Sequence, residues 1–151
     1  MVCGPGLICS GGGCVVDPAS RWNIVLESLT VSSTAFAGSA WDALGGAPDP
    51  VVDVRVGSET SPARRQNGPD NVFAITYDGS AIMSDVRASD LQAFLLFEVY
   101  DEDVTDYECI GACIVGVPDA AVAGATQTVD CPVEPSTRNS GFVLRWHLEQ
   151  F

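Results

Sequence analysis

The segment "EVYDEDVTDYECIG", Glu98 to Gly111, places six acidic side chains in fourteen residues, directly after an apolar run. Asp101 and Asp103 stand at i and i+2. Alternate side chains of an extended chain point the same way, so these two converge while Glu102 points away. Asp106 and Glu108 follow. A second stretch, "WDALGGAPDPVVDVRVG", sets Asp42 and Asp49 on either side of a Gly-rich turn, just before a β-branched run. Carboxylates held this close repel one another unless a cation compensates them. The cation chemistry that fits is calcium, which takes roughly six to eight oxygen ligands at about 2.3–2.6 Å from flexible loops. Neither loop supplies enough alone. Together they offer five carboxylates: Asp42, Asp49, Asp101, Asp103 and one of Asp106 or Glu108. The competing reading is a pair of solvated acidic loops that only keep the chain soluble.

Other chemistries lack their parts. The sequence has no GxSxG, no HExxH, no phosphate-cradling glycine loop and no Ser/His pairing, so a non-enzymatic protein is expected. The single histidine, His147, falls on the outward face of the last apolar-alternating run beside Arg145 and Glu149, where a surface role is expected. Twenty Asp and Glu against seven basic residues, all Arg, give a formal charge of −13. Such a surface repels nucleic acid, which is excluded as a partner, and it repels anionic lipid unless cations intervene. Arg64 and Arg65 in "ARRQ" read as counter-charges in a loop.

The elements that must position the acidic loops are strands. "WNIVLESLTVS" alternates, with Trp22, Ile24, Leu26 and Ser28 on one face and Asn23, Val25, Glu27 and Leu29 on the other. "PVVDVRVGS", "NVFAITYD", "LQAFLLFEVY", "CIGACIVGV" and "GFVLRWHLEQF" complete the set, separated by Gly/Pro/Asp turns. The one helix-length candidate is "IMSDVRASDL". A single domain is expected at 151 residues. The fold class is all-β: an eight-stranded antiparallel β-sandwich over 21–151, preceded by a cysteine-rich segment and linker over 1–20.

Six cysteines form two groups, Cys3, Cys9 and Cys14, then Cys109, Cys113 and Cys131. An even count at loop-like spacings reads as a disulfide set from an oxidising compartment, so a secreted, periplasmic or envelope-associated protein is expected. Zinc is disfavoured, because no CxxC pair occurs and the one histidine is distant. No apolar run of about 20 residues and no signal peptide stand out; a secreted form would then be a mature or trimmed chain. The first 16 residues are too glycine-rich for a helix or regular strand and read as a disulfide-held knot. Cys109 and Cys113 would lie about 13 Å apart in extended chain, so they should not pair. Cys131 is expected to bond Cys113 or, failing that, Cys109, and the cysteine left over to cross-link to the knot near the acidic loops. Arg-only basicity with an Ala/Val/Gly bias points to a GC-rich bacterial source.

The acidic loops resemble those of the C2 domain, a calcium-dependent lipid-binding module. Asp42, a glycine turn and Asp49-Pro50 leading into "VVDVRVG" match its first loop. Val99, Asp101, Asp103, Glu108 and Ile110-Gly111 match its third. The likeness runs from about Trp22 to Phe151. It implies an eight-stranded sandwich that binds calcium and, through it, anionic phospholipid or a protein or other surface ligand. The first loop is one residue longer than usual and the third one shorter, which leaves Asp106 and Glu108 as alternative last ligands. The lysine-rich strand of phosphoinositide-binding members has no counterpart. The alternative function is a calcium-independent structural or adhesion module of the same fold.

Overall fold

A computed structural model of the chain describes residues 2–41, 46–103, 107–122, 124–134, 136 and 138–151. Strand β3 (Arg21–Val31) is the spine of the first sheet. It pairs on one side with β11 (Phe142–Gln150), which in turn pairs with β10 (Gln127–Cys131). On its other side β6 (Ala74–Thr76) and β7 (Ala81–Arg87) lie end to end, β6 along Ser28–Thr30 and β7 along Arg21–Val25. They act as one strand. The second sheet has the order β5 (Arg64–Asn67), β4 (Pro50–Val56), β8 (Leu95–Glu102) and β9 (Tyr107–Ile114). Every pairing is antiparallel, so two four-position sheets face each other as the expected sandwich.

Period-two alternation does most of this work. Along β11 Phe142, Leu144, Trp146 and Leu148 are buried. Along β8 the inward column is Leu95, Phe97, Val99 and then Asp101. Trp146 and Phe97 meet across the sandwich with ring centroids 5.5 Å apart, and both are fully buried. The faces expected for β3 hold only as far as Leu26. Leu26 pairs with Trp146 but Ser28 pairs with Arg145, so Glu27 is an extra residue and the strand bulges there. Beyond the bulge Leu29 and Val31 face the core and Ser28 does not, because the strict alternation of β11 fixes which side is wet. Glu27 is turned outward, where it accepts a hydrogen bond from Thr126 Oγ1 (2.6 Å) and joins His147 Nδ1 (2.9 Å). His147 thus sits half-exposed between Glu27 and Glu149 on the outer face. The Thr126 bond first, and then His147, hold the Glu27 carboxyl below its usual range.

Other expectations shift. The helix falls at α1 (Ala88–Ala93), not over 82–91, because β3 needs an edge partner and residues 81–87 supply it. Ala88 and Leu91, at i and i+3, are its buried face, so "LQA" belongs to this helix and β8 starts only at Leu95. Arg64 and Arg65 lie in strand β5 instead of a loop, and Arg65 grips Asp53 through Nε–Oδ1 and Nη2–Oδ2 bonds of 2.8 Å each. The connection after β9 carries two further elements, α2 (Asp119–Val122) and β10.

The cysteine-rich segment is a β-hairpin, β1 (Leu7–Ser10) with β2 (Gly13–Val16), contrary to the irregular knot expected. Gly11 and Gly12 make this possible, since both take positive φ (59° and 83°) as a two-residue hairpin turn demands. Cys3 bonds Cys14, and Cys113 bonds Cys131 across the two sheets. Cys9 and Cys109 are thiols, so the expected bridge from the sandwich to the segment does not form. Geometry gives the reason. Leu7 and Val16 pack on the core, and a Cβ on Gly6 would collide with the Trp22 indole, which seats the hairpin at the Trp22 end of β3. Cys109 pairs with Tyr100 toward the other end, roughly 20 Å from the level of Trp22 along the strand direction.

Among the described residues, the buried Tyr77 hydroxyl has no hydrogen-bond partner, and burial pushes its ionisation well above the usual range. Tyr77→Phe removes a desolvated polar atom and loses no bond. The variant is expected to match the parent or gain up to about 1 kcal/mol, read from the urea midpoint at constant slope. A lowered midpoint would show that the hydroxyl is engaged in solution.

Candidate metal centre

The inward column of β8 ends in a carboxylate. Asp101 occupies the position where alternation would place a fourth apolar side chain, and it is 1% exposed. Its cross-strand neighbour in β4 is Pro50, the residue after Asp49. The Asp49 N–H donates to Asp101 Oδ1 at 2.7 Å, and the Glu102 N–H donates back to the Asp49 carbonyl at 3.0 Å. The two acidic loops therefore meet, and a half-buried Asp49 lies against a buried Asp101.

A third segment joins them. Asn71, in a left-handed conformation (φ 58°), donates its N–H to Asp49 Oδ1 at 2.5 Å and accepts the Ala47 N–H on Oδ1 at 2.6 Å. Val72 N–H and Gly68 N–H bond the carbonyls of Pro48 and Pro50, both at 2.9 Å. Only glycine fits at Gly68, since a Cβ would stand 2.7 Å from the Pro50 carbonyl and overlap Ile75. This 68–73 segment, with exposed Asp70, was not among the expected site elements. Its signal was the turn sequence "NGPDN", which marks a tight turn but not where that turn lands.

Asp103 is exposed, two residues past Asp101, and Glu108 is exposed opposite Asp101 in the β8–β9 register. Glu102 lies on the other face of β8, half-buried, as the alternation requires. Asp42 and Asp106 lie outside the described residues. Four of the seven arginines are engaged elsewhere: Arg21 with Asp85, Arg55 with Glu98, Arg65 with Asp53 and Arg145 with Glu27. On the outer face beside them, Tyr100 donates its hydroxyl to Glu98 Oε1 at 3.0 Å. Burial, with the Glu98 carboxylate, pushes Tyr100 up to about 12 and raises the neighbouring Cys109 thiol.

No family model matches this sequence, and no curated protein does. Solved structures do. The chain superposes on a C2 domain of plant extended synaptotagmin 1 with a TM-score of 0.58 at 16% identity, over 89% of this chain and 98% of that one. The fold is that of a C2 domain. A calcium-bound structure of two C2 domains of extended synaptotagmin 2 gives 0.58 at 13% identity, over 89% of this chain and 47% of that longer one. A C2 domain protein from Ramazzottius varieornatus gives 0.51 at 14% identity, over 87% and 88%. At these identities the likeness is one of backbone architecture. Within the C2 fold of this chain, Asp49, Asp101 and the Asn71 turn gather at one end of the sandwich, and the hairpin closes the other.

The donor set suits a hard cation. Among the described residues the structure brings only Asp49 and Asp101 into contact, with Asp103 two residues along the chain and Glu108 opposite in the register, and no three carboxylates converge there. Carboxylate oxygens of this kind would suit calcium and not a thiolate- or imidazole-preferring metal.

Proposed function

We propose that this C2-fold chain is a non-enzymatic calcium-binding module that attaches a secreted or envelope protein to a phospholipid membrane or another surface. The observation that carries the reading is Asp101: a carboxylate 1% exposed, closing an otherwise apolar column, in hydrogen-bond contact with the second acidic loop. Burying a carboxylate among other carboxylates costs free energy that a bound cation offsets. Asp49, Asp101 and Asp103 would hold the ion, with Asp42 and Asp106 or Glu108 completing its shell. Bound calcium supplies positive charge at an acidic pole and open coordination positions for phosphate or carboxylate oxygens of the partner. Residues 21–151 are the module and 1–20 an appended segment. The two disulfides suit an oxidising compartment, such as the periplasm or envelope of a bacterium.

One observation favours the alternative, a calcium-independent adhesion module. The N–H groups of Asp49 and Asn71 already bond the carboxylates of Asp101 and Asp49, which partly stabilises the loops without metal. Co-sedimentation with phosphatidylserine-containing vesicles separates the two. Binding should occur with calcium and disappear with chelator, because the metal-free surface carries a formal charge of −13. Equal sedimentation in chelator would favour the alternative.

A further inference from the structure

The Cys3–Cys14 disulfide has a third sulfur beside it. Strands β1 and β2 set Cys9 directly opposite Cys14, and Cys9 Sγ lies 2.9 Å from Cys3 Sγ. The three sulfurs all fall within 4.8 Å of one another, with Cys9 and Cys14 exposed and Cys3 half-exposed. Facing residues of an antiparallel pair have Cβ atoms about 4.5–5.5 Å apart, close to disulfide range. A Cys9–Cys14 bond is therefore within reach of small adjustments, as is a Cys3–Cys9 bond. The surroundings would yield easily: a Cβ on Gly4, Gly11 or Gly12 would meet nothing within 4 Å.

We propose that the hairpin is a thiol–disulfide exchange site, in which the thiol moves among Cys3, Cys9 and Cys14 and captures an external disulfide. In the internal step the Cys9 thiolate attacks Cys3 Sγ. The Cys9–Cys3 bond forms, the Cys3–Cys14 bond breaks, and the electron pair leaves on Cys14, which takes up the proton that Cys9 gave to solvent. Nothing is oxidised overall. In the external step the thiolate attacks one sulfur of the incoming disulfide, forming a mixed disulfide and releasing the other half as a thiol. Three sulfurs always leave one thiol, so the site persists through every internal exchange. The second cysteine group does not share this property. Cys109 and Cys113 lie opposite Tyr100 and Phe97, about 10 Å apart along the strand direction, and Cys131 is buried.

The test uses the Cys109→Ser protein, in which the hairpin holds the remaining thiol. The protein is equilibrated at about pH 8.5, where a model thiol is half ionised, then quenched with acid and alkylated. The first arginine is Arg21, so trypsin releases residues 1–21 as one peptide whose alkylated position is read by tandem mass spectrometry without reduction. Alkyl label should appear on more than one of Cys3, Cys9 and Cys14. A parallel sample given oxidised glutathione should gain one glutathionyl group on this peptide, and Cys9→Ser in the same background should gain neither modification. Label confined to Cys9, or absence of the glutathionyl group, would overturn the proposal.

Discussion

Millimolar calcium is expected to raise the melting temperature of this protein, and chelator to return it. An ion that binds the folded loops and not the unfolded chain stabilises by mass action, by about 2.7 kcal/mol at a concentration 100-fold above the dissociation constant. For a domain of this size that is roughly 5–10 °C. Asp101→Asn with Asp103→Asn should erase the shift completely. Asn keeps the shape of Asp101 and can still accept the Asp49 N–H through its amide oxygen, so the metal-free protein should melt close to the parent. That separates loss of calcium from loss of fold. A melting temperature indifferent to both calcium and chelator would sink the calcium reading.

The second large effect is structural. Trp146→Ala should destabilise the protein by about 3–5 kcal/mol. Trp146 is the largest fully buried side chain, carried on β11 beside Leu26 and set against Phe97 of the facing sheet. Deleting it opens a cavity between two sheets whose spacing the surrounding core side chains and the Cys113–Cys131 bond fix, which limits collapse. Trp146→Phe should cost less, because the indole N–H it removes is buried without a partner among the described residues. Denaturant unfolding checks both. Similar losses for the two variants would show that the indole N–H is bonded or that the site relaxes around any smaller ring.

How far the sequence reveals this protein depends on the range of the interaction that decides each part. The column Phe142, Leu144, Trp146 and Leu148 is written in one strand, and so is the end of β8 at Asp101, since a period of two needs no partner to be read. The Glu27 bulge is not readable in that way. It exists because β11 dictates which face of β3 is buried, more than a hundred residues away in sequence. The glycine-rich hairpin was obscured because Gly11 and Gly12 read as breakers, whereas here they form the turn that brings β1 and β2 together. Asn71 was missed because a turn residue declares its conformation, not its neighbours. Likewise, the expected Cys109 link failed on distance between two ends of a sandwich, a quantity that no local spacing contains.

The placement of the hairpin at the Trp22 end and the acidic residues at the other gives the molecule two poles, about 30 Å apart along β3. That separation is several Debye lengths, each about 8 Å at physiological ionic strength. An anionic bilayer against the acidic pole would thus exert almost no field at the sulfurs of Cys3, Cys9 and Cys14. The rate of exchange there would be the same docked or free, and anything captured there would stand clear of the headgroups.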